Sequence, residues 1–171
     1  MKRTALLLLA LPALAEETTW RGLQVAPESR CSSYERSDYR YSPAIEKAVE
    51  ARDGLVSRYT GRTFAGTHET DVDHVVATSE AHDSGLCGRP AARRGFARVL
   101  LNLALADPAL NRWQKRGKDA GEWLPARPAR CWFAVTVLRV KRKWRLSVDV
   151  AERDALEEAL ATCPCTCKEL E

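Results

Sequence analysis

Six cysteines constrain this chain more than any other feature, because all six follow a short apolar leader. They stand at Cys31, Cys87, Cys131, Cys163, Cys165 and Cys167 in a sequence of 171 residues. The leader carries Lys2 and Arg3, then the apolar stretch Ala5–Leu11, then Ala13-Leu14-Ala15, a small-x-small cleavage pattern. Those three parts in that order predict a cleavable signal peptide over residues 1–15. Export into an oxidising compartment makes disulfides the default state of the cysteines. Residues two apart bridge each other poorly. The reading is therefore that Cys163, Cys165 and Cys167 each pair outward with one of the isolated cysteines. The alternatives are two bridges with a pair left over near the tail, and a soft metal held by the C-x-C-x-C tail.

The leader's apolar core is well short of the roughly 18 residues a spanning helix needs, and no later stretch reaches that length. We therefore expect no membrane association and a secreted or periplasmic protein. Residues 16–171 suit a single domain long enough to bury a core. The full-chain net charge of +4 falls to +2 without Lys2 and Arg3, which leave 25 basic residues against 23 acidic. Bulk charge thus excludes a polybasic nucleic-acid binder, while a local basic face remains open. Candidates are Arg89, Arg93, Arg94 and Arg98, then Arg112, Lys115, Arg116 and Lys118, then Arg139, Lys141, Arg142, Lys143 and Arg145. The competing reading is solvated helix faces.

Pattern predicts more helix than strand, an α+β chain. Residues 16–42 read as irregular, tied down by Cys31. Pro43–Arg52 reads as a helix, with Ser42 as N-cap, Pro43 in the first turn and Gly54 beyond the end. Tyr59-Thr60-Gly61-Arg62 reads as a turn. Thr63–Thr78 holds two short candidate strands separated by Gly66. Pro90–Leu101 reads as an amphipathic helix with Phe96, Val99 and Leu100 on one face. Leu101–Ala106 is a short apolar run. Asp107 as N-cap and Pro108 in the first turn start a helix that carries Asn111 and ends at Gly117. A helical turn follows over Lys118–Leu124. Ala129–Arg145 fits either period but is long enough to favour helix, and Val150–Ala161 reads as a helix with Glu and Arg outward.

The chemistry-bearing segment is Asp71-Val72-Asp73-His74-Val75-Val76. Neighbours on a strand point to opposite faces, so Asp73 and His74 can serve one phosphate only where a bulge or strand end lets both reach it. Asn102 and Asn111 follow, nine residues apart. Carboxylate and amide oxygens suit Mg²⁺, which needs only one or two protein ligands besides water. A neutral His can deprotonate water. The set Asp, His, Asn, Asn is sufficient for one-metal phosphodiester hydrolysis. No metalloprotease, structural-zinc, serine-hydrolase or phosphate-loop motif competes.

Asp73-His74-Val75-Val76, then Leu101-Asn102-Leu103, then Asn111, resembles the Asp-His…Asn…Asn pattern of HNH endonucleases of the His-Me finger, or ββα-metal, superfamily. The nine-residue step matches the variant found in RNA-guided CRISPR nucleases. Tyr59–Arg62, Ser79–Gly85, Asp119–Pro125 and Arg130–Ala134 are similar to segments of small secreted bacterial HNH-family proteins. The resemblance implies a ββα-metal finger over about residues 63–117, embedded in a mainly helical, disulfide-stapled domain. It implies His74 as general base, Asp73 and Asn111 as metal ligands, and Asn102 as the residue that holds the loop and orients His74. The implied cofactor is one divalent metal, Mg²⁺, with Mn²⁺ as the alternative, because Asn111 stands where many HNH proteins have His. The implied activity is hydrolysis of DNA, or RNA, with little sequence preference, by a monomer. The alternative is an inactive, exported nucleic-acid-binding protein of the same fold.

Other residues carry two readings. Arg62, Lys118 and His82 are candidate substrate contacts, against an exposed turn Arg, a solvated Lys and a structural His. Asp71 assists the metal or ends the strand. Trp113, Trp123, Trp132 and Trp144 are core residues, or a base-stacking platform.

Overall fold

The structure, a computed structural model, describes residues 18–164. The expected leader, Cys165 and Cys167 lie outside the described residues. The described chain is α+β. It opens with a small hairpin, β1 (Thr19–Trp20) and β2 (Leu23–Gln24), then a 3₁₀ turn at Arg36–Tyr39. Helix α1 (Pro43–Asp53) begins at Pro43 as expected, and Gly54 ends it at φ +66°. Strand β3 (Asp71–His74) pairs antiparallel with β4 (Leu103–Ala106). Between them lie α2 (Thr78–Ala81), which continues as a π-wound turn over His82–Leu86, and α3 (Pro90–Phe96). A π-wound helix, Leu110–Lys115, follows β4 directly. Helices α4 (Arg127–Trp144) and α5 (Val150–Ala161) pack on each other and close the order. None of the described helices is long and apolar enough to cross a membrane.

β4 is buried on both faces, which explains why its sequence is apolar without alternation. Ala104 and Ala106 join the main core with Phe96, Phe133, Val137 and Leu138. Leu103 and Leu105 face the other way, against Val49 of α1 and Phe64. The two strands therefore sit clamped between α1 and the helical core.

Several expectations are corrected. Only the second candidate strand before Thr78 forms, and it ends at His74. Thr63 makes a single bridge to Val56, because the Glu69 carboxylate accepts the Ala65 N–H that a ladder partner would have taken. Helix α3 stops at Phe96 instead of Leu101, leaving Leu100 exposed. Lys118–Leu124 forms one tight turn, closed by Asp119, and no helix. Glu152 of α5 points inward, and Trp113 is 73% exposed instead of core.

The favoured cysteine pairing is also overturned. Cys31 bridges Cys87, and Cys131 bridges Cys163. The guanidinium of Arg93 donates to Asp38 at 2.7 Å, to Ser32 Oγ at 3.0 Å and to the Cys87 carbonyl at 2.7 Å. That one side chain lashes the N-terminal segment to the end of the π-wound turn and holds Cys31 beside Cys87. Arg93 is therefore internal, like Lys115 and Lys141, and not part of a basic surface. Lys141 bonds Glu80 at 2.6 Å and Glu152 in the core.

Candidate functional site

Asp71 and Asp73 share one face of β3 by its period of two, and Val72 and His74 share the other. The π-wound helix crosses the aspartate face. Asn111 Nδ2 donates to Asp71 at 3.1 Å, and Arg112 forms a two-point ion pair with the same carboxylate at 2.6 and 2.8 Å. One turn later Lys115, fully buried, reaches Asp73 at 3.1 Å and donates to the His74 carbonyl at 2.7 Å. Tyr59 donates a short hydrogen bond to Asp73 as well. The aspartate face is thus charge-balanced by the helix laid across it.

His74 leaves β3 on the opposite face, against Tyr41 and parallel to Phe96. Its Nε2 lies 3.0 Å from the carbonyl of Ala97. A carbonyl only accepts, so Nε2 carries the proton and Nδ1 carries the lone pair. That carbonyl is available because α3 ends at Phe96, and the last carbonyls of a helix have no intrahelical partner. Enclosure by the two rings lowers the His74 pKa from 6.5 to about 4, since burial disfavours the imidazolium. The ring is neutral at pH 7. Among the described residues Nδ1 has no hydrogen-bond partner.

Asn102, fully buried, sits just before β4 and spans the turn after His74. Its Oδ1 accepts from Val76 N at 2.7 Å, and its Nδ2 donates to Val76 O at 3.0 Å. Val75 N bonds the Asn102 carbonyl at 2.8 Å. A buried amide with both ends paired is stable where an unpaired one would be costly. Asn102 therefore pins the chain that leaves His74.

A cavity of about 780 Å³ opens at the end of β3. Asp73, His74 and Asn111 all border it, because β3 ends at His74 and lets both faces of the strand contribute. Val72, Thr78, Ser79 and Gly117 complete that side. The other wall is the N-terminal segment, with Tyr34, Arg36, Tyr39, Arg40 and Tyr41. Burial raises the Tyr39 and Tyr41 hydroxyls to about 12, so both stay protonated. Sequence reasoning missed this wall and missed Lys115. The alternation of Tyr and Arg from Tyr34 to Tyr41, and the four-residue step from Asn111 to Lys115, are the signals that could have found them.

The remaining candidates lie elsewhere. Arg62 pairs with Asp107 at 2.9 Å and Glu69 at 3.2 Å, fastening the 59–62 turn to the start of the π-wound helix. Asp107 accordingly spends its carboxylate on Arg62 and Thr60 instead of capping. Lys118 does not border the cavity. His82 is fully buried, its Nδ1 at 2.9 Å from Tyr39 Oη and its Nε2 at 2.8 Å from the Ser32 carbonyl. It fastens the N-terminal wall and cannot touch a substrate. A separate acidic group, Glu28, Asp119 and Asp149, gathers its oxygens within 4.8 Å near the Lys141 network.

No protein-family model matches the chain, and no solved structure matches it significantly. It is similar to an uncharacterized secreted protein of Arthroderma benhamiae, 28% identical over 166 residues, covering 83% of this chain and 81% of that protein. That relative and the two disulfides agree with the expectation of export.

Proposed function

We propose that the protein is a secreted, metal-dependent endonuclease of the HNH class, with β3, β4 and the π-wound helix as its ββα-metal finger. The observation that carries this reading is His74. A neutral imidazole, its Nε2–H committed to Ala97 and its Nδ1 lone pair without a partner among the described residues, borders the same cavity as Asp73 and Asn111. That is what a general base beside a hard-metal site requires.

The donor set fits a divalent cation. Asp73 offers a carboxylate, and Asn111 offers Oδ1, which has no protein partner among the described residues. These two would hold the ion, the remaining positions going to water and substrate. When bound, it would stabilise charge on the phosphate and on the leaving 3′ oxygen. His74 Nδ1 takes the proton from the attacking water. The water oxygen bonds to phosphorus, the bond from phosphorus to the 3′ oxygen breaks, the leaving oxygen takes a proton from solvent, and His74 returns its own proton to solvent. The products carry a 5′ phosphate and a 3′ hydroxyl. Asn102 and Lys115 are positioning residues: one pins the Val76 turn and the other the His74 carbonyl.

The test is cleavage of an end-labelled 30-mer with Mg²⁺, Mn²⁺ or EDTA. Metal-dependent products ending in 5′ phosphate are expected. Products with 5′ hydroxyl ends, or equal cutting in EDTA, would contradict the mechanism. One observation favours a second reading, an exported nucleic-acid-binding protein without hydrolysis: Asp73 is already engaged by Lys115 and Tyr59. No cutting by oxidised, folded protein at any metal concentration would select it.

A further inference from the structure

One cation lining the cavity is spoken for: Arg112 is matched by Asp71. Arg36, Arg40 and Arg116 also line the cavity, all three are exposed, and among the described residues none has a hydrogen-bond or ion-pair partner for its guanidinium. They come from elements far apart in the sequence, the N-terminal wall and the end of the π-wound helix. Like charges drawn to one cavity without partners repel, and that arrangement favours an anionic ligand. Arg116 adds a backbone signal. It holds φ +53° and ψ −125°, a conformation suited to glycine, although Gly117 stands next to it. Strain of this kind persists where the surrounding structure enforces it, and it clusters at sites that bind ligands.

We propose that Arg36, Arg40 and Arg116 grip successive phosphates of a polynucleotide strand, so that the substrate is recognised along its backbone and not as an isolated phosphodiester. This rests on the hydrolytic reading above. The charge count supports it: one phosphodiester brings a single negative charge to a cavity with three unmatched cations, whereas a strand brings one per nucleotide. Guanidinium groups suit phosphate because they offer paired, planar donors. Backbone contacts carry no base information, so binding is indifferent to sequence and common to DNA and RNA.

The experiment is fluorescence anisotropy of labelled 20-mers, DNA and RNA, in EDTA, which separates binding from cleavage. The whole exported chain is used as wild type, Arg36→Gln, Arg40→Gln and Arg116→Gly, with Arg127→Gln on the exposed start of α4 as a charge control. Each cavity variant is expected to weaken binding roughly tenfold for any sequence, and to flatten the slope of log affinity against log salt by about 0.7 for a single strand. Arg127→Gln should match wild type, and Arg116→Gly should melt no lower than wild type. Unchanged affinity and slope in the three cavity variants, equal loss in the control, or no binding by wild type at low salt would overturn the proposal. Arginine-dependent binding without metal-dependent cleavage would instead sink the hydrolytic reading and leave the grip standing.

Discussion

In the proposed mechanism His74 can act as a base only while its ring is neutral, and its environment sets the pH at which that holds. Burial lowers its pKa to about 4, so the acid limb of the activity profile should fall near pH 4 and not near 6.5. A limb at 6.5 would mean that the ring is solvated. The same shift has a stability consequence. Between about pH 4 and 6.5 the unfolded chain binds a proton that the folded ring refuses, so His74 withdraws stability as pH falls through that window. A His74→Gln variant should lose that part of the wild-type pH dependence, as read from melting temperatures at pH 4.5 and 7. Lys115 is the second decisive residue. Replacing it with Met leaves Asp73 as a buried charge with Tyr59 alone, and the His74 carbonyl loses its donor. Breaking a buried pair from one side costs about 3–5 kcal/mol, measurable by urea unfolding; a cost below 1 kcal/mol would show that water reaches Asp73. Sequence made His74, Asp73, Asn102 and Asn111 visible because their types and spacing are unusual together. Lys115 stayed hidden because a lysine in a basic run looks solvated, and only the helix laid over β3 turns it inward.

Elements were legible where local signals acted alone. Helix α5 is read to the residue, and α1 ends at its glycine. The failures came where a tertiary partner overrode the pattern: Glu69 took a strand's N–H, and α3 gave up its last turn, which freed the Ala97 carbonyl for His74. The turn at Arg116 can be tested at this scale. Its positive φ costs of the order of 1–3 kcal/mol, and glycine there gives back roughly 0.5–1 through the freer unfolded chain. Arg116→Gly should therefore gain about 1 kcal/mol in unfolding free energy; a loss of that size would mean that the arginine contributes to the fold. The Cys31–Cys87 bridge closes a loop of 56 residues and anchors the segment that forms one cavity wall. Its removal by Cys31→Ser with Cys87→Ser should cost about 2–4 kcal/mol. Arg93 and His82 hold the same segment, so the folded double variant should still bind DNA. Loss of binding at temperatures where it remains folded would show that the bridge itself shapes the wall.

At the scale of the whole molecule, Glu80 and Glu152 meet on buried Lys141, and Glu28 interacts with Glu80. Glu28 is raised to about 9, chiefly by its hydrogen bond to Glu80, and Glu152 to about 8 by burial. Their ordinary value is 4.5, so between there and pH 8–9 the folded protein holds protons that the unfolded chain has released. Stability from these groups is present in mild acid and falls as pH rises through that window. His74 opposes the trend only below 6.5. The melting temperature should therefore drop between pH 6.5 and 9, and Glu28→Gln should shrink the drop; a rise over that interval would contradict the carboxyl assignment. None of this network was legible in the sequence, because Lys141 lies in a basic run and Glu152 in an acidic one, and only the packing of α4 on α5 brings them together. The central claim is that the finger cuts DNA with His74 as its base. The most direct measurement is nicking of supercoiled plasmid by wild type and His74→Ala in Mg²⁺, each with an EDTA control and matched for folding by circular dichroism. Metal-dependent nicking that His74→Ala abolishes is the expected result. Nicking that survives the substitution at wild-type rate would contradict it.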